Sequence, residues 1–369
     1  MARTEEILHQ ICSQFQIEGD LIDVTPYGEG HIHATFAAEY QSGDGSRQRF
    51  LLQRINRQVF PEPETVMENI QRVTDHLRRK ISARGGTPQR HTLTLIPTRD
   101  GRSFFRSDDG EYWRAEAFIE GCQTYRAAED IRLFFNAARA FGEFQKDLAD
   151  FPVENLHITI PDFHHTVKRF ERFEQAVRQD GWQRAARARL QIDFALRRAA
   201  QAGTLTSLAA AGTLPERVTH NDAKLDNILM DGRTGEAICV IDLDTVMAGL
   251  GVFDFGDLVR SGANTAAEDE RDLSRVTLDL RAYDQIAAGF LEGVRGCLSP
   301  AEIDQLPFAA RLITFEQGLR FLTDYLEGDR YYHTRRPGHN LERCQVQFKL
   351  LAEMEANFDQ MVRIVESYR

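Results

Sequence analysis

Between Val218 and Met230 the chain runs Val218-Thr219-His220-Asn221-Asp222-Ala223-Lys224-Leu225-Asp226-Asn227-Ile228-Leu229-Met230. It holds the spacing H-x-D-x-K-x-x-N, and 15 positions after Asn227 an apolar run ends in Ile241-Asp242. These residue types suit phosphoryl transfer. That reaction needs an acceptor oxygen held in line and phosphate charge neutralised by metal, with little covalent help from the protein. Asp222 can orient a hydroxyl and take its proton. The amide oxygen of Asn227 and the carboxylate of Asp242 are hard ligands of the kind Mg2+ prefers. Lys224, just past the base, can reach the phosphoryl group in transit. Asp and Asn in short loops also cap turns. Asp242 at the end of an apolar strand is what lifts the pattern above that plainer reading.

The stretch resembles the catalytic loop of the protein-kinase-like fold, H-R-D-x-K-x-x-N. Asn221 replaces the Arg that serves activation-loop control in protein kinases. The departure points to the small-molecule branch, the aminoglycoside phosphotransferase and choline kinase superfamily. The resemblance implies an α+β fold of two lobes, a small β-rich N-terminal lobe and a larger, mainly helical C-terminal one. A second spelling, Asp254-Phe255-Gly256, imitates the kinase D-F-G, but the spacing from Asn227 fits Asp242 better. In the family a later Asp closes a structural helix start, and that role is expected of Asp254 and Asp257.

Two further segments bear on a nucleotide. In Tyr27-Gly28-Glu29-Gly30-His31, Gly28 and Gly30 would let backbone N–H groups approach a phosphate, although a plain hairpin gives the same signal. Trp113-Arg114-Ala115-Glu116-Ala117-Phe118-Ile119-Glu120-Gly121 looks like the hinge strand whose backbone carries adenine, with Glu116 and Phe118 on it. One part is missing. The kinase fold sets a Lys on its third strand to grip the phosphates, yet residues 50–55 place Gln53 there. Glu68, its natural helix partner, would meet no cation. Gln53 could act as a neutral donor, Arg54 could serve in its stead, or the chain could bind nucleotide without turnover.

The elements that must position these groups follow from periodicity. Residues 4–16 and 63–81 read as helices, and 22–55 as strands broken by glycine turns. More strands are expected at 93–97 and 111–119. Beyond Gly121 the pattern turns helical, over 128–149, 165–200 and from 280 onward, with a strand-like break at 217–244. The boundary predicted here separates a nucleotide-binding lobe, 1–121, from a helical lobe, 122–369, that carries the catalytic loop. His164-His165 reads as loop and not as a metal site, and the Arg-rich run at 184–198 as a solvated helix face.

Composition narrows the partners. The 369 residues carry a formal charge of −11, which disfavours nucleic acid as a partner. There is no apolar run long enough for a transmembrane helix, and Met1-Ala2-Arg3-Thr4-Glu5-Glu6 lacks the layout of a signal peptide. Five scattered Cys with no C-x-x-C fit reduced thiols in a cytoplasmic protein.

Taken nearly end to end, the chain is similar to the bacterial N-acetylhexosamine 1-kinases. The glycine turn, the catalytic loop, Ile241-Asp242-Leu243-Asp244-Thr245, Phe253-Asp254-Phe255-Gly256-Asp257, Ala267-Glu268-Asp269-Glu270 and the run from Gly318 to Asp329 carry the likeness. It implies transfer from ATP, with Mg2+, to the anomeric hydroxyl of GlcNAc or GalNAc. It also implies a sugar seated beside Asp222 and touched by His31 and Arg320; Asp324 and Tyr325, neighbours of Arg320 in sequence, are weaker candidates. A Gln at the usual Lys position recurs in that family. Two alternatives stay open: a kinase of the same fold for homoserine, an amino alcohol or an aminoglycoside, and a nucleotide-binding regulator without catalysis.

Overall fold

The computed structural model describes residues 2–28, 32–125 and 130–369, with side chains from Glu6 onward. Gly30 and His31 of the glycine turn therefore lie outside the described residues, as do the first two positions of the helix expected at 128–149.

Helix α1 (Ala2–Cys12) precedes an antiparallel sheet of β1 (Asp20–Pro26), β2 (Ala34–Gln41), β3 (Arg47–Arg54), β4 (Leu95–Ile96), β5 (Phe105–Arg106) and β6 (Tyr112–Ala117). The strand order is β1-β2-β3-β6-β4, with β5 on β6. Between β3 and β4 the chain forms α2 (Pro63–Ala83) and the single turn α3 (Pro88–His91). Alternation along the strands gives the sheet two chemically different faces. Ala38, Tyr40, Leu52, Trp113 and Ala115 pack with Leu8, Ile11 and Cys12 of α1 in one apolar cluster. The intervening residues, Thr35, Gln53, Arg114 and Glu116, face the other way and are polar. A polar row on a buried sheet face is costly unless it is paired, and its partners lie in the candidate site.

Helix α2 forms where the periodicity predicts it. Pro63 occupies its first turn, where a missing N–H costs nothing, and Val66, Ile70, Val73, Leu77 and Ile81 make one buried stripe. After the short β7 (Cys122–Gln123) come α4 (Arg132–Asp147), α5 (Thr166–Gln179), α6 (Arg189–Leu196) and α7 (Thr204–Ala210). The continuous helix expected over 165–200 is thus two helices. Asp180 (φ 37°) and Gln183 (φ 53°) take left-handed backbone between them, which ends the first. Two small antiparallel pairings follow: β8 (Glu216–Thr219) with β11 (Met247–Leu250), and β9 (Ile228–Asp231) with β10 (Ala237–Val240) and β7. Helices α8 (Val252–Gly262), α9 (Leu280–Gly293), α10 (Pro300–Leu326), α11 (His339–Ala356) and α12 (Phe358–Ser367) complete the chain. The start of α10 is fixed by a Ser299–Glu302 capping box and Pro300.

Helices α4 and α9 cross with their backbones in contact, because glycines line the crossing. A Cβ at Gly142 would lie 2.7 Å from the Phe290 carbonyl oxygen, and one at Gly289 or Gly293 would strike the carbonyl oxygen of Phe135 or Arg139. No described helix is long and apolar enough to cross a membrane. The five cysteines are free thiols.

Candidate active site

Strand β8 ends at Thr219 and delivers the catalytic loop. Asn221 there adopts φ 65°, and Asp242 at the end of the β10 run adopts φ 61°, conformations that cost a non-glycine residue energy and cluster at functional sites. Hydrogen bonds between the two loops hold both in place. Thr245 Oγ1 donates to the His220 carbonyl (2.7 Å), Asn221 Nδ2 to the Thr245 carbonyl (3.0 Å), and the Ile241 amide to the Asn227 carbonyl (3.0 Å). His220 Nε2 donates to the Ile241 carbonyl (2.9 Å), which leaves Nδ1 to accept the Asp222 amide (3.3 Å). Asn221, in the place of the kinase Arg, thus acts as a loop staple. Gly249 on β11 makes room for it, since a Cβ there would collide with Thr219 Oγ1 and sit 2.9 Å from Asn221 Oδ1.

Asp222, Lys224 and Asn227 converge. Lys224 Nζ lies 3.1 Å from Asp222 Oδ2, and Asn227 Nδ2 donates to the same oxygen at 2.9 Å and to the Asp222 carbonyl at 2.8 Å. Burial works against ionisation of Asp222, but the charges of Lys224 and His220 together with the hydrogen bonds from Lys224 and Asn227 outweigh it and bring the carboxyl down to about 2. Asp222 is therefore an anion at neutral pH, ready to accept a proton from a hydroxyl.

Asp242 shows the opposite balance. Burial raises its carboxyl pKa, and the neighbouring Asp244 and Asp222 raise it further, against the pull of Lys224. That crowd of carboxylates is what a divalent cation relieves. Among the described residues no trio of His, Cys, Asp or Glu converges as metal ligands. Mg2+ takes one or two protein carboxylates and fills its shell with water and substrate phosphate. Asp242 and the Asn227 amide oxygen are the groups that would hold it, and when bound it would neutralise charge on the phosphates.

The polar row of the sheet closes the gap from above. Arg114 Nη1 and Nη2 each donate to one oxygen of Asp244 at 2.7 Å, and its Nε donates to Gln53 Oε1 at 2.8 Å. Gln53 Nε2 donates in turn to Thr35 Oγ1 at 3.1 Å. His33 Nε2 stands 3.3 Å from Asp244 Oδ1. Burial opposes ionisation of Asp244 too, but Arg114 and His33 hold its carboxyl well below the usual range. Arg54 alternates to the far face of β3, 3.8 Å from Glu111, so it does not stand in for Gln53. Glu68 points to Arg72 (3.0 Å) and His157 (2.8 Å) on the surface.

Glu116 is buried with Oε1 unpartnered, 3.2 Å from Arg114 Nε. Phe118 packs against Tyr27 at 5.3 Å, beneath the Arg49 guanidinium at 3.9 Å. Gly28 takes left-handed backbone (φ 74°) beside the glycine turn.

On the far side of Asp222 stands Arg320 of α10. Its guanidinium lies 5.0 Å from the Phe163 ring centre and 5.7 Å from that of Tyr332, and Nη1 donates to Gln317 Oε1 at 3.0 Å. Burial alone would weaken its charge, but Tyr332, Tyr331, Glu316 and Asp222 sustain it. Tyr325 does not join this group. Five positions along a helix is about 140° of rotation, and Tyr325 is buried under Arg184, at 4.8 Å from its ring. Tyr331 and Tyr332 take the place expected of it. Asp324 acts from behind, its carboxylate accepting the backbone amides of Arg330, Tyr331 and Tyr332 at 2.8 to 3.0 Å and so folding that loop back.

His164, expected only as part of a loop, reaches the catalytic loop. It links the Asn221 carbonyl (2.9 Å) to Glu316 (2.8 Å). Burial disfavours its protonated form, but Glu316 prevails and raises its pKa. A lone His-His pair with no spaced partners gave no signal for this. Neither later Asp closes the start of its own helix, the role expected of both: Asp257 pairs with Arg260 at 2.6 Å, and Asp254 serves the catalytic loop. Its carboxylate accepts the His220 amide at 3.0 Å and the Asn221 amide at 2.8 Å.

Comparison with known proteins bears on the fold. The described fold is similar to an aminoglycoside phosphotransferase from Alicyclobacillus acidocaldarius (TM-score 0.63, 15% identity, 97% of this chain and 96% of that one). It is also similar to a choline kinase from Cryptosporidium parvum (TM-score 0.56, 14% identity, 98% and 99%). A third likeness is to an amicoumacin kinase solved with AMP-PNP and Ca2+ (TM-score 0.55, 14% identity, 98% and 93%). The model of the phosphotransferase enzyme family (APH) matches residues 23–288, a span that takes in the polar row, the catalytic loop and Asp242. With its sheet, its catalytic loop and most of its length accounted for by that match, the chain belongs to the phosphotransferase enzyme family.

Proposed function

We propose that the protein transfers the γ-phosphoryl group of ATP to the anomeric hydroxyl of an N-acetylhexosamine, GlcNAc or GalNAc, giving the sugar 1-phosphate. The nucleotide lies between the N-terminal lobe, 1–121, and the helical lobe, 122–369. Asp222 orients the C1 hydroxyl and takes its proton as the oxygen attacks phosphorus. Lys224, paired with Asp222 before substrate binds, offsets charge on the phosphoryl group as it moves. Asn227 and Asp242 hold Mg2+, in keeping with a relative that binds AMP-PNP and a divalent ion.

The observation that carries the acceptor class is the sign of the charge beyond Asp222. Arg320, Arg169 and His164 gather there around the carboxylate of Glu316, with Asp222 facing Arg320 and Asp257 acting on His164. Burial weakens the charge of Arg169, and so does the neighbouring Arg320. Choline and aminoglycosides are cations, and a cationic wall repels them, since like charges brought together cost free energy. A neutral sugar meets no such penalty and gains charge-assisted hydrogen bonds from the guanidinium. Phe163 and Tyr332 supply flat apolar faces beside it.

A transfer assay with labelled ATP over GlcNAc, GalNAc, glucosamine, homoserine, choline, ethanolamine and a deoxystreptamine aminoglycoside tests this. The expected outcome is label on the two N-acetylhexosamines, released by mild acid as an anomeric phosphate should be. Faster labelling of any cationic acceptor would overturn the reading.

A further inference from the structure

We propose that Arg114, on β6, supplies the fixed positive charge over the nucleotide phosphates that β3 lacks at Gln53, and that Asp244 and Gln53 hold it in position for that task. The inference rests on a nucleotide entering this gap, as set out above, but not on the identity of the acceptor.

The register makes the substitution geometrically simple. Thr35, Gln53 and Arg114 are direct partners across β2, β3 and β6, so their side chains form one row on one face. A cation one strand over from position 53 lies on the same face of the sheet. Arg114 is buried at 2% exposure and is the cation of that row, while Gln53 is neutral. The carboxylates around it are Asp244, Glu116 and, two positions from Asp244, Asp242.

The hydrogen bonds leave donors free for a ligand. A guanidinium carries five N–H groups. Nε is taken by Gln53, and one hydrogen each of Nη1 and Nη2 by Asp244. Two Nη hydrogens remain, one on each outer edge of the guanidinium plane, and each can donate singly to a phosphate oxygen. Gln53 acts as a spacer, bound to Thr35 on one side and to Arg114 on the other, and fixes the plane of the guanidinium. A Lys at position 53 would place a second cation against Arg114, which accounts for a neutral residue there.

Comparison of nucleotide with nucleoside tests the assignment without any acceptor present. Calorimetry would follow ATP, ADP and adenosine, with GTP and guanosine alongside, on the wild type, Arg114→Gln, Asp244→Asn and Arg114→Gln/Asp244→Asn. The double variant removes both members of the Arg114–Asp244 pair, so less buried charge is left uncompensated than in the single Arg variant, should that one fail to fold. Removing the cation should weaken ATP and ADP by about tenfold or more and leave adenosine within about twofold. Asp244→Asn, which keeps the cation, should retain the preference for ATP over adenosine. Gln53→Lys/Arg114→Gln, which moves the charge one strand, should recover most of the ATP affinity. Equal losses for ATP and adenosine, or unchanged ATP affinity in a folded double variant, would overturn the proposal for Arg114 alone. A wild-type protein that binds none of the nucleotides or nucleosides would overturn the kinase reading with it.

Discussion

Asp254 receives two consecutive backbone amides of the catalytic loop, those of His220 at 3.0 Å and Asn221 at 2.8 Å. Gln145 Nε2 adds a third bond at 2.6 Å. An anion buried inside the protein is satisfied entirely by groups it holds in place, so its loss strands all of them. Asp254→Ala should lower unfolding free energy by about 2–4 kcal/mol, the cost of orphaned buried donors, as read by urea denaturation. Asp254→Asn, which keeps one acceptor oxygen, should cost less. Equal stability of the alanine variant and wild type would contradict this.

Asp222→Asn removes the proton acceptor and preserves shape. Its kcat should fall by about 10³-fold or more while nucleotide affinity changes little. Single-turnover transfer and equilibrium nucleotide binding, measured on the same preparation, check both halves.

Asp242 gives a prediction about pH. Burial, then Asp244 and Asp222, raise its carboxyl in the folded state. The native protein then holds a proton that the unfolded chain has released. Through this group, stability of the metal-free protein falls as pH rises from about 4, the ordinary carboxylate value, through the raised folded value. Asp242→Asn should therefore raise the melting midpoint of the metal-free protein at neutral pH and leave it nearly unchanged near pH 4. The same variant should lose the added stabilisation that Mg2+ gives the ATP complex. Thermal melts across pH, with and without MgATP, separate these effects.

At Arg320 the planar fork and the charge both matter. Arg320→Ala should raise the acceptor KM by about tenfold or more, and Arg320→Lys should restore little, because a point charge does not reproduce the fork. Initial rates at varied acceptor and saturating ATP measure it. Full recovery by the Lys variant would show that charge alone is used.

Packing gives the last test. Gly289→Ala thrusts a methyl group at the Phe135 carbonyl, and overpacking of this kind should cost about 2–3 kcal/mol. Urea denaturation would register it, with kcat in the folded fraction nearly unchanged.

The sequence makes legible what is local. H-x-D-x-K-x-x-N is readable because its members share one loop, and Asp242 because an apolar strand marks where it must fall. Helix α2 is readable from a repeating apolar stripe. The alternation Trp113-Arg114-Ala115-Glu116-Ala117 announces a strand with one apolar and one polar face. What Arg114 meets was not readable, because Asp244 lies 130 positions away. Tyr325 is close to Arg320 in sequence, but helical rotation carries it to the far side. Tyr331 and Tyr332 reach Arg320 only because Asp324 captures the amides of the loop behind them, a long-range return that no periodicity encodes. His164 joined the site through Glu316, 152 positions on.

Where α4 and α9 meet, main chain rests on main chain, and no layer of side chains intervenes there to be enlarged or trimmed. That seam offers nothing to adjust when a descendant drifts toward a bulkier or smaller acceptor. If the acceptor sits beside Arg320 as proposed, variation of that kind falls on the rings of Phe163, Tyr331 and Tyr332 around it. Lineages with altered acceptor preference should carry their changes in those rings and keep Gly142, Gly289 and Gly293 untouched.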